Sequence, residues 1–147
     1  MNWTTLLRFR RQVEDLAREE VVLKEWEKSQ EVAQYHELNK EMETVVTELE
    51  QRLQAGMAQM FVEQRYQWLD KIGVSLETQI QRIQGLDTTL VELRQKLKEA
   101  YHARRVVELV IAKKEAAVLQ KVAYQEQRIQ EDLSSHVFVT QSLEREC

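Results

Sequence analysis

Val62, Leu69, Leu76, Ile83, Leu90 and Leu97 recur every seven residues, and Ile72, Leu86, Leu93, Ala100 and Val107 stand three residues further on in the same repeat. That is the a/d seam of a coiled coil, and a helix carrying it has to lie along another helix. The seam can be followed from Val62 to Val118, and no proline interrupts it. A helix of that extent would be roughly 85 Å long at ~1.5 Å per residue, more than a compact domain of this size needs. The expected fold is therefore all-α: an elongated antiparallel two-helix coiled-coil hairpin whose second helix is longer than the first.

The composition points the same way. Proline is absent, glycine occurs three times, and 31% of the 147 residues are charged. Such a chain buries a stripe rather than a three-dimensional core, which argues against a deep enzyme pocket. The net charge of −4 does not suit a nucleic-acid binder. Its distribution is uneven, with residues 94–121 at net +5 and the rest acidic, so the second helix should attract an acidic surface. Cys147 is the only cysteine, so no internal disulfide forms. Residues 1–9 lack the apolar run of a signal peptide, and no stretch is apolar enough to span a membrane. A cytoplasmic protein is expected.

The first helix is expected over about 3–54. Leu6, Phe9, Val13 and Leu16 form one apolar stripe and Tyr35, Leu38, Met42, Val45 and Leu49 another. Between them the phase slips, and Glu20, Glu27 and Lys28 fall where seam residues belong; a stutter or a bend is expected there. Gln54-Ala55-Gly56-Met57 is the best turn, because Gly56 can close the helix in a left-handed conformation. Gly73 and Gly85 are passed over by the seven-residue series and stay helical. Folding at Gly56 pairs positions whose numbers sum to 111: Leu49 with Val62, Met42 with Leu69, Tyr35 with Leu76, Val21 with Leu90. Met1 then falls opposite Val110. From about Ile111 the second helix, expected over 59–133, has no partner from the first. Yet Ile111, Ala112, Ala116, Val118, Leu119, Val122, Ala123 and Ile129 keep it apolar, as a docking element would. Residues 134–147 are expected to fray. The whole chain reads as one coiled-coil domain.

No Walker loop, no Cys/His pair at metal-ligand spacing and no nucleophile–base pair is present in the sequence. No enzymatic activity, metal or cofactor is expected. Three stretches can carry binding instead. Val106–Ala112 holds more apolar residues than one stripe can hide, although Trp3, Leu6 and Leu7 can pack on part of it. Arg94, Lys96, Lys98, Arg104, Arg105, Lys113, Lys114 and Lys121 form a basic block that Arg8, Arg10, Arg11 and Arg18 reinforce. Near the turn, Trp68 can anchor a partner together with Ile72, Ser75 and Gln79, or cover the seam as large aromatics often do.

Several short motifs extend along almost the whole chain. Phe9-Arg10-Arg11-Gln12-Val13 opens it, Ala55-Gly56-Met57-Ala58 turns it, and Tyr66-Gln67-Trp68-Leu69 follows. Then come Leu97-Lys98-Glu99-Ala100, Arg104-Arg105, Val107-Glu108-Leu109 and Glu131-Asp132. In these the chain resembles the FliJ family, stalk proteins of the flagellar type III export apparatus. It departs at Val110-Ile111-Ala112, where the family continues basic. The resemblance implies a non-enzymatic antiparallel hairpin that sits in the hexameric export ATPase and promotes its assembly. It further implies contacts with the cytoplasmic domain of the export gate and with export chaperones, at the cytoplasmic face of the inner membrane. Arg8, Arg11, Arg104, Arg105, Val110, Ile111, Lys113 and Lys114 are the candidates for the ATPase contact. Trp68, Ile72, Ser75 and Gln79 are those for the gate. The alternatives are the stalk of a virulence type III secretion system and a generic coiled-coil tether.

Overall fold

The computed structural model describes residues 2–56 and 58–146. Met1, Met57 and Cys147 lie outside them, and with them the expected Met1–Val110 pairing and the last turn position. Two helices form a hairpin whose second arm is the longer: α1, Trp3–Gln54, and α2, Gln59–Glu146. Nothing in either stretch stops a helix. Asn2 caps the start of α1, its Oδ1 accepting from the Thr5 amide at 3.2 Å. Gly56 ends the arm at φ 81°, a conformation that costs glycine nothing. The Ala55 and Gly56 amides donate to the carbonyls of Gln51 and Leu53.

The chain divides into two units, residues 12–101 and residues 2–11 with 102–146. In the first, Val45, Leu49 and Ile72 are buried, with Met42, Val62, Leu69 and Leu76 packed against them. These are the side chains that the antiparallel register brings together. Leu90, at 1% exposure, is the most deeply buried large side chain among the described residues. Ion pairs cross from one helix to the other at Glu48–Arg65, Lys28–Asp87, Glu25–Arg94 and Glu20–Lys96, at 2.6 to 3.4 Å. Being substantially exposed, each contributes about 0–1 kcal/mol. In the other unit Val107 is buried, with Trp3, Leu6, Leu7, Val110 and Ile111 half-buried.

Two expectations are corrected. The phase slip in α1 is not made. The inward stripe of α1 keeps the 3–4 spacing throughout: Glu14, Ala17, Val21, Lys24, Lys28, Glu31, Tyr35, Leu38, Met42, Val45, Leu49. The charged members are tolerated because their long side chains reach partners at the edge. Glu14 accepts from Arg18 at 3.0 Å, Lys24 donates to Glu27 at 3.0 Å, and Lys28 meets Asp87 at 2.6 Å. The second correction concerns the tail, which is helical to Glu146 rather than frayed from Ser134. Ser134, Ser135 and His136 are weak helix formers but not breakers. Thr140 returns its hydroxyl to the His136 carbonyl at 2.9 Å.

Candidate functional site

The unit that holds residues 102–146 carries every residue expected at the ATPase contact, whereas Arg18, Arg94, Lys96 and Lys98 of the basic block lie in the other unit. One turn of α2 places Arg104, Arg105 and Glu108 on neighbouring positions, three and four residues apart. Arg104 Nη1 donates to Glu108 Oε1 at 2.6 Å and Arg105 Nη1 to Oε2 at 2.7 Å. Arg11 approaches the same carboxylate from α1 at 3.7 Å. The hydrogen bond from Arg105, then that from Arg104, holds the Glu108 carboxyl below its ordinary value. Three of the arginines assigned to partner binding are thus oriented by one acidic residue. Lys114 lies over the Trp3 ring, 4.7 Å from its centroid.

The apolar members divide into two groups. Val110 and Ile111 are half-buried, while Val106 and Leu109 are 60% and 57% exposed. So Val106–Ala112 packs locally on one side and is open on the other. From Ala112 to Arg145 every residue is exposed. Leu119, Val122, Ile129, Leu133 and Leu143 then share one exposed face, interrupted by Glu126, His136 and Thr140. Its phase is one residue ahead of the buried seam, which at Lys114, Lys121, Gln125 and Arg128 turns polar. Arg8 and Lys113 are exposed.

Near the turn the expected surface is reduced. Ile72 and Gln79 are each 4% exposed and belong to the seam, so neither presents a surface to a partner. Gln79 is buried because its amide finds partners across the hairpin. Nε2 donates to the Glu31 carbonyl at 2.9 Å, to Gln34 Oε1 at 3.3 Å and to the Glu31 carboxylate. Ser75 is exposed and Trp68 is 43% exposed, so these two remain available.

A further face was not anticipated. Leu16, Val22, Leu23 and Trp26 are 57–60% exposed on α1. A shallow groove of about 750 Å³ runs along it, lined by Asp15, Arg18, Glu19, Val22, Leu23 and Trp26. The signal was available in the sequence. Once Glu14, Lys24 and Lys28 are allowed into the seam, Leu16 and Leu23 have nowhere to point but outward.

These surfaces can hold another helix or an acidic partner. Among the described residues no three His, Cys, Asp or Glu side chains come together as metal ligands, and no helix is long and apolar enough to cross a membrane. Compared with protein-family models, with curated proteins and with solved structures, the chain matches none.

Proposed function

We propose that this chain is a non-enzymatic connector, the central stalk of a flagellar type III protein export apparatus, working at the cytoplasmic face of the inner membrane. It docks in the hexameric export ATPase, promotes assembly of that ring and links it to the export gate and to chaperones. The observation that carries the reading is the set of apolar side chains on one face of α2 after Ile111, 44–70% exposed and preceded by a cluster of basic groups. A helix with uncovered apolar side chains gains by docking, and the adjacent cations favour an acidic wall. Residues that are exposed and hold nothing together are the sharpest probes. Leu109→Asp with Lys113→Glu should abolish ring assembly while the circular dichroism spectrum stays that of the unaltered chain. Undiminished assembly would remove this end of α2 from the contact. For the gate, Trp68→Ala should weaken binding without loss of helicity. A coiled-coil tether is the second reading, favoured by the same side chains. It requires a stable dimer with no effect on an ATPase.

A further inference from the structure

Between Val13 and Lys28, α1 carries two competing inward faces, one residue apart. The face now turned to α2 is Glu14, Ala17, Val21, Lys24 and Lys28. The face one residue behind it is Val13, Leu16, Glu20, Leu23 and Glu27. The first is mostly charged or small, the second richer in large aliphatic side chains. Yet Leu16 and Leu23 are 60% and 57% exposed, while Glu14 is 4% exposed. Opposite them α2 is apolar along its whole seam, with Ile83, Leu86, Leu90, Leu93, Leu97 and Ala100 turned inward. Such a surface accepts either face.

The energies oppose one another and are of similar kind. The arrangement observed keeps the 3–4 spacing unbroken, so the supercoil is undisturbed. It also retains the pairs Glu20–Lys96 and Lys28–Asp87. Its cost is a carboxylate and two ammonium stems in the seam and two leucines in water. Turning this stretch by one residue, about 100°, buries both leucines and frees Lys24 and Lys28. In exchange it breaks those pairs, brings Glu20 and Glu27 inward and introduces a one-residue slip at each end of the stretch, before Val13 and before Tyr35. The anchored part of the unit, around Val45, Leu49 and Ile72, need not move. Packed helices are bistable rather than continuously deformable, so the intermediate angles are disfavoured.

We propose that residues 13–28 of α1 form a two-position element, rotating by one residue on a fixed α2. Two cysteine pairs in the full chain, each with Cys147→Ser, report the two positions. Ala17→Cys with Leu93→Cys, two heptads along from the Glu31–Gln79 contact, closes in the arrangement described, and Leu16→Cys with Leu93→Cys closes in the rotated one. Both pairs are expected to oxidise to an intramolecular disulfide. Adding Glu20→Leu and Glu27→Leu should raise the yield of the Leu16 pair several-fold relative to the Ala17 pair, and Lys24→Leu with Lys28→Leu should lower it. Full oxidation of the Ala17 pair beside a Leu16 pair that stays reduced in every background would overturn the proposal. So would a ratio that ignores the biasing substitutions. Helicity measured by circular dichroism shows that each variant has folded.

Discussion

Glu108 shows how one side chain organises a surface. Arg105 and Arg104 hold its carboxyl below the ordinary range, so the folded state favours the ionised form more than the unfolded chain does. The stabilisation is fully present above the ordinary glutamate value of about 4.3. It is lost as the pH falls below that, through the lowered value. Glu108→Gln should therefore be less stable than the unaltered chain in urea at pH 7, and the gap should close in acid. A gap that does not narrow as the pH falls through the lowered value would mean that Glu108 contributes through packing rather than charge. Leu90 marks the other extreme. Its side chain is 1% exposed, and Leu90→Ala should cost ~2–5 kcal/mol in urea unfolding.

At the scale of the helices, Gly73 and Gly85 lie inside α2, and a methyl group added at either would meet nothing within 4 Å. Gly73→Ala and Gly85→Ala should each raise stability by about 1 kcal/mol, read as a higher melting temperature. Gly56→Ala should do the opposite, because its φ of 81° strains any residue with a Cβ. Most of the fold was legible because long helices leave a periodic record. The seven-residue series of α2, the turn at Gly56 and the two-helix hairpin with its longer second arm all follow from spacing. The first half of α1 was misread because apolar pattern and spacing conflict there, and spacing prevailed. Pattern alone does not show that the Lys24 and Lys28 side chains reach Glu27 and Asp87 at the seam's edge. The burial of Ile72 was implicit in its a/d position, whereas that of Gln79 depends on the Glu31 carbonyl, which no side-chain pattern announces. The exposed groups at Lys113 and Leu119 were readable as soon as the register left α2 without a partner, whereas Leu109 lies before that point, on the outer side of a partnered turn.

For the molecule as a whole, the proposed role depends on the apolar and basic groups that α2 leaves exposed. The measurement that tests this most directly is the assembly of a cognate type III export ATPase, followed by sedimentation as this chain is added in increasing amounts. The account predicts conversion of ATPase monomers to hexamers with a rise in ATP hydrolysis, and loss of both with Leu109→Asp and Lys113→Glu. An ATPase whose sedimentation and turnover are indifferent to the folded chain would contradict it.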